Sequence, residues 1–296
     1  MCFINGFLAK LKFVVFSFIV FSFALIGYGE KRVIFTTILP QKWLVDGIVS
    51  NKFEVLVIVE RGRDPHTFEV SPSLVKKVGK AEVFFSLGLG DSEENLIRKV
   101  RKSFPKVRVV DMSEGLSKLA LSEKHFGKEH HYYSGLYDPH VWLSPLNMIV
   151  MASNILKVVV GLDPQNRDFY EENYRNTVKK LKELHEEIGK ILYDLRGRKF
   201  LVFHSAFKYF EKEYGVVEIA LEREGKDPSP RELVKILKVV KEEGIKVVFV
   251  QPGFSRKSAE VLAKEIRGTV VEINPLEYDY LENMRRIAIL IRDSYR

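Results

Sequence analysis

The sequence predicts an α/β protein made of two parallel-rich lobes joined by one long, rigid helix. Three observations predict it. Short β-branched and aromatic runs alternate with helix-like segments along the first half of the chain. The same alternation recurs in the last third, and a continuous amphipathic stretch without a Gly/Ser linker lies between the two. With 296 residues and 46% hydrophobic composition, the chain can bury two modest cores.

In the first lobe, residues 30–162, the strands are VIFTTI (33–38), FEVLVIV (53–59), EVFFSLG (82–88) and KVRVVDM (106–112). QKWLVDGIVS, SPSLVKKVGKA and DSEENLIRKVRKSF supply the intervening helices, and 144–162 a longer one. The second lobe, residues 198–296, has strands at 199–205, 215–221, 245–251 and 268–274. Its helices are SPRELVKILKVVKEEG, SRKSAEVLAKEIRG and the C-terminal EYDYLENMRRIAILIRDSYR. Residues 163–197 carry Tyr170, Tyr174, Val178, Leu181, His185, Ile188, Leu192 and Leu195 at steps of three and four. That spacing predicts one helix of roughly 30 residues and about 45 Å. His185 falls on its apolar stripe and reads as a packed core histidine.

At the N-terminus two lysines precede an apolar run at 13–28, and Gly27 and Gly29 stand where a small-residue cleavage site would. Residues 1–29 therefore read as a signal peptide, with a retained membrane anchor as the alternative. Cys2 is the only cysteine and lies within that segment, so the exported chain has neither disulfides nor thiolate ligands. Its metal chemistry must use nitrogen and oxygen. The formal charge of +8 is spread through lysine–glutamate mixtures with no basic run or stripe, which argues against nucleic-acid binding.

Of the seven histidines, six remain to be placed. Two lie in near-repeats, DPHTFEVSP from Asp64 and DPHVWLSP from Asp138, each followed by Ser-Pro. Ser71-Pro72 and Ser144-Pro145 fit an N-cap followed by proline at the first helical position. His66 and His140 thus sit on loops between strand and helix, behind an Asp-Pro step that favours extended backbone. His204 ends the strand FLVFH, and Asn274 occupies a similar strand end in VVEINPL. Ligands in open α/β sheets bind beyond the carboxyl ends of strands, so facing lobes would gather these residues at one interlobe cleft. Three imidazoles with a fourth position for water or oxygen suit zinc, whereas manganese prefers more oxygen. His125, His130 and His131, in the aperiodic stretch 122–137, read as a loop that captures metal transiently.

The chain resembles the metal-binding, cluster A-I family of periplasmic solute-binding proteins, and within it the zinc-uptake branch. DPHTFEVSPS, DPHVWLSP, FHSAFKYFEKEYG, FVQPGFS and EINPLEYDYLENM carry the resemblance, in that order, from about residue 31 to the C-terminus. It implies a chain that captures a divalent metal outside the membrane and delivers it to the permease of an ABC importer. It places the metal ligands at His66, His140 and His204, and histidine at 204 favours zinc. The family's fourth ligand is usually aspartate. Asn274 stands there instead, as a fourth ligand or a hydrogen-bonding neighbour, and Gln251 replaces a more usual glutamate. The expected product is a non-enzymatic periplasmic monomer that carries Zn2+. The alternatives are a manganese or iron carrier on the same fold and a secreted zinc-dependent hydrolase. No compact motif such as HExxH supplies the general base a hydrolase needs.

Overall fold

A computed structural model describes residues 32–120, 137–222 and 228–296. The predicted signal segment and the loop of His125, His130 and His131 lie outside the described residues. The first lobe runs β1 (Val33–Thr36), α1 (Leu39–Val49), β2 (Glu54–Val57), α2 (Pro72–Val78), β3 (Val83–Ser86), α3 (Asp91–Ser103), β4 (Arg108–Asp111) and α4 (Pro145–Leu162). After α5 (Arg167–Ile191) come β5 (Lys199–His204), α6 (Lys208–Tyr214), β6 (Val217–Glu222), α7 (Pro230–Glu242), β7 (Val247–Val250), α8 (Arg256–Glu265), β8 (Thr269–Glu272) and α9 (Tyr280–Asp293).

Each lobe has one four-stranded sheet with every pair parallel, in the orders β2-β1-β3-β4 and β6-β5-β7-β8. The two orders are the same topology used twice. In each, the strand order reverses beside the first strand of the lobe, and that reversal opens a crevice at the carboxyl ends. The central strands read as unbroken apolar runs because helices cover both faces: β3 is buried along its whole length.

α5 spans 25 residues, about 37 Å, and is shorter than the pattern predicts. The outer parts of the pattern form separate 3-10 turns at Pro164–Asn166 and Tyr193–Leu195. Pro164 cannot donate a helical hydrogen bond, so it starts a turn rather than extending the helix. Tyr170, Thr177, Leu181, Leu184 and Ile188 form the buried face of α5. That face belongs to a core that runs without a break from Ile34 and Leu44 of the first lobe to Phe200 and Ile287 of the second. His185 departs from the expectation. It is half-buried at the stripe's edge, with its Nδ1 3.2 Å from the Tyr214 hydroxyl and 3.6 Å from Glu213. α6 is the helix the periodicity did not single out. At seven residues it is too short to establish a pattern, yet it buries Tyr209, Phe210 and Tyr214.

Candidate metal centre

Both Asp-Pro-His repeats fold alike. In each, the aspartate Oδ1 accepts the backbone N–H of the histidine two residues on, at 2.9 Å for Asp64 and His66 and 2.8 Å for Asp138 and His140. This side-chain turn, with the rigid proline inside it, fixes where each imidazole leaves the chain. The helices that follow begin as expected: Ser71 Oγ accepts from Leu74 N–H and Ser144 Oγ from Asn147 N–H, each with proline inside the first turn.

His66, His140 and His204 come together in one cluster. One ring nitrogen of each lies within 4.8 Å of the others, and the ring centroids are 5.2, 5.6 and 5.5 Å apart. His140 and His204 are buried and His66 is half-buried. Phe254 stacks on His204 with centroids 4.5 Å apart, and Trp142 lies against His140 at 5.2 Å.

Every imidazole has an acceptor behind it. His66 Nδ1 lies 2.7 Å from the Leu89 carbonyl, His140 Nδ1 3.0 Å from Asp138 Oδ1, and His204 Nδ1 2.5 Å from Glu222 Oε2. A carbonyl or carboxylate there requires the proton on Nδ1, which leaves the lone pair on Nε2. The lone pairs therefore converge. His66 Nε2 and His140 Nε2 face each other at 3.3 Å, and His204 Nε2 is buried without a hydrogen-bond partner. In the tautomers their acceptors impose, the 3.3 Å contact opposes two lone pairs, and a cation between them relieves it. Two nitrogens bound tetrahedrally at 2.0–2.1 Å lie about 3.3 Å apart, so the donor set fits zinc. Burial, then the proximity of His140 and His204, pushes the His66 imidazole down to about 3, so at neutral pH it is an uncharged donor.

Around these rings lies a layer of polar groups. Gln251 is buried and clamps the backbone of His204: its Oε1 accepts the His204 N–H at 3.1 Å and its Nε2 donates to the His204 carbonyl at 2.6 Å. Asn274 also lines the cleft, but its side chain is engaged locally. Its Nδ2 donates to Glu277 at 2.7 Å and its Oδ1 accepts from Leu276 N–H at 2.9 Å. Arg61 of the first lobe reaches the same Glu277 carboxylate at 2.7 Å. An aspartate at 274 would set a second carboxylate against Glu277, which gives a physical reason for the amide.

Glu222, Glu93 and Phe254 escaped the sequence reading. Glu222 ends β6 directly opposite His204 in the parallel register, which only knowledge of strand pairing could have revealed. Glu93 is fully buried, and its carboxyl accepts from the N–H groups of Leu87, Gly88 and Leu89 and from the Thr37 hydroxyl. It thereby fixes the loop whose Leu89 carbonyl orients His66. Burial pushes the Glu93 carboxyl up, against the pull of those donors.

Four bonds tie the His140 loop to the second lobe. Tyr209 Oη donates to the Asp138 carbonyl at 2.9 Å, Trp142 Nε1 to the Pro275 carbonyl at 2.9 Å, and Tyr280 Oη to the Trp142 carbonyl at 2.7 Å. The Ser144 hydroxyl meets the Glu213 carboxyl. With a shared core beneath them, these bonds tie the two lobes together beside the cleft.

Comparison with known proteins agrees with this architecture. Residues 34–293 match the family described as zinc-uptake complex component A, periplasmic (ZnuA). The chain belongs to the ZnuA family. The high-affinity zinc uptake system protein ZnuA of Bacillus subtilis is 31% identical over 289 residues, covering 90% of this chain and 88% of its own. The zinc-binding protein AdcA of Streptococcus pyogenes is 29% identical over 267 residues, and the match spans about half (51%) of its length. Among solved structures, a ZnuA crystal structure superposes with a TM-score of 0.82 at 32% identity, covering 90% of this chain and all of that one. A zinc-bound ZnuA deletion mutant superposes at 0.81, also at 32% identity, covering 90% of this chain and 98% of that one. ZnuA-family proteins are periplasmic or extracytoplasmic binding proteins.

Proposed function

We propose that this chain captures Zn2+ outside the cytoplasmic membrane with His66, His140 and His204 and hands it to the permease of an ABC importer. The observation that carries the reading is the convergence of three Nε2 lone pairs, each forced inward by an acceptor on the opposite ring nitrogen. Three nitrogen donors in a pocket walled by Trp142, Phe254 and Pro275 favour zinc over manganese, whose preferred ligands are oxygen. The names of the B. subtilis and S. pyogenes relatives support the same ion.

In this reading Asn274 and Gln251 hold the frame, and water takes the fourth position on the metal. Residues 1–29 direct export, 30–162 and 198–296 are the two lobes, and 163–197 is the brace between them. His125, His130 and His131 act in capture rather than in tight binding, and the carrier works as a monomer. It binds and releases its cargo unchanged, without catalysing a reaction.

The test is a competitive titration of the metal-free protein with zinc against manganese. One zinc per chain, held more tightly than manganese and lost in a His204→Ala variant, supports the reading. Tighter manganese binding, or zinc binding indifferent to His204, contradicts it.

A further inference from the structure

The sequence spreads its positive charge, but the fold gathers it. The last turn of α2 and the residues after it carry Lys76, Lys77 and Lys80, all exposed. The last turn of α3 carries Arg101 and Lys102, and Lys106 and Arg108 follow it, again all exposed. These two stretches touch: a Cβ at Gly79 would meet the Phe104 ring at 2.6 Å. The backbone carries the contact across the sheet. Arg108 N–H donates to the Glu82 carbonyl at 3.0 Å, and Glu82 N–H donates to the Val33 carbonyl at 2.9 Å.

All of this lies at the amino ends of the first lobe's strands, opposite the carboxyl ends that face the histidine cluster. Arg32 and Lys52 add two more cations at this end, and Glu54 and Glu82 are the acids there. Removing Lys10, Lys12, Lys31 and Glu30 from the chain totals of 47 Lys+Arg and 39 Asp+Glu leaves +6 for everything from Arg32 onward. This one pole accounts for all of that charge, and the rest of the chain is close to neutral.

Helix dipoles explain part of the clustering, because cations are favourable in a last helical turn. They explain Lys76, Lys77, Arg101 and Lys102, but not Lys80, Lys106 and Arg108, which lie outside helices. At the matching end of the second lobe acids are interleaved with the cations: Lys199 is paired with Glu243 at 2.6 Å, and Glu242 and Glu265 directly follow Lys241 and Lys264 in the chain. Among the described residues no carboxylate lies within 4.0 Å of Lys80, Lys102, Lys106 or Arg108.

The connection between the apolar run and β1 is short. β1 begins at Val33, and the apolar run of the sequence ends at Tyr28. Only residues 29–32 separate them, and the five steps from Tyr28 to Val33 reach at most about 18 Å at 3.6 Å per residue. With the apolar run retained in a bilayer, that reach keeps the start of β1 within about 18 Å of the point where the run leaves it.

We propose that the basic pole built from the ends of α2 and α3 is a seat for an anionic lipid surface, holding the first lobe against the membrane with the histidine cleft directed away from that contact. Clustered lysines and arginines at a membrane surface gain from its negative potential, and salt weakens that gain. This inference does not depend on which metal the cleft carries.

The test uses the full chain in nanodiscs of phosphatidylcholine alone and in nanodiscs containing phosphatidylglycerol, read by amide hydrogen exchange. Exchange over residues 76–82 and 100–108 should slow by roughly tenfold in the anionic discs, the scale of one or two lipid-engaged cations. High salt should reverse it, and a Lys80→Glu/Lys102→Glu/Lys106→Glu variant should abolish it. Zinc titration of that variant reports its folding, since these residues lie at the far end of the lobe. Equal exchange in the two lipids would overturn the proposal. So would protection that persists in the variant, or protection produced by added DNA but not by anionic lipid.

Discussion

His204 Nδ1 stands 2.5 Å from Glu222 Oε2, and both residues are buried at the ends of neighbouring parallel strands. A carboxylate in that position fixes the tautomer and aims Nε2 into the cluster. Glu222→Gln keeps an acceptor for the Nδ1 proton but removes the charge. Zinc affinity should fall about 10- to 100-fold. Isothermal titration of the variant, with a Co(II) absorption spectrum to report ligand geometry, measures it. Unchanged affinity would leave Glu222 as packing only.

Gln251 forms two hydrogen bonds with the backbone of His204, and replacing it with leucine strands a buried N–H and a buried carbonyl. The expected loss is about 2 kcal/mol of stability. For a chain of this size that is a fall of roughly 5 °C in Tm, read by calorimetry. Zinc binding should weaken as well, because His204 loses its anchor.

The three cluster histidines and the three loop histidines should separate cleanly. Alanine at His66, His140 or His204 should each reduce zinc affinity by at least about 100-fold, since two imidazoles seldom hold zinc tightly. Alanine at His125, His130 and His131 together should leave that affinity intact and alter only the rate of capture or the binding of additional metal. Stopped-flow and equilibrium titration distinguish the two effects. Loss of tight binding in the loop variant would reverse the assignment.

For the metal-free chain, the imidazole of His66 makes a signed prediction. Its value falls from 6.5 to about 3 on folding, chiefly through burial. Between those values the unfolded chain binds a proton that the folded chain refuses, so His66 makes stability fall as pH drops from about 6.5 towards 3. Glu93 and Glu213, whose carboxyls are pushed up by burial, act in the opposite sense. Comparing the pH dependence of Tm in wild type and His66→Gln isolates the histidine. The wild type should gain on the variant as pH rises through that window and hold level above it.

Much of this could be read in the sequence because periodicity reports burial. All eight strands and the longer helices follow from apolar patterning, and the Ser-Pro steps located two helix starts to the residue. α6 leaves no period to read in its one or two turns, and the apolar spacing of α5 continues through two 3-10 turns, so it predicts a longer helix than forms. The three histidines stood out because a repeated motif and a strand end are local signals. Their supports did not. Glu222 reaches His204 only through strand register, the Leu89 carbonyl has no side-chain signature, and Asn274 reads differently once Glu277 is seen against it. The basic pole was hidden for the same reason, since α2 and α3 bring together lysines about 25 residues apart.

The central claim is that zinc sits on three imidazole nitrogens in the cleft. X-ray absorption at the zinc edge, on protein loaded with one equivalent, tests it most directly. The account predicts three nitrogen ligands at about 2.0–2.1 Å with imidazole scattering, completed by one light oxygen atom. Loss of one imidazole in His204→Ala should accompany it. A coordination shell dominated by carboxylate oxygen, or one unaltered in that variant, would contradict it.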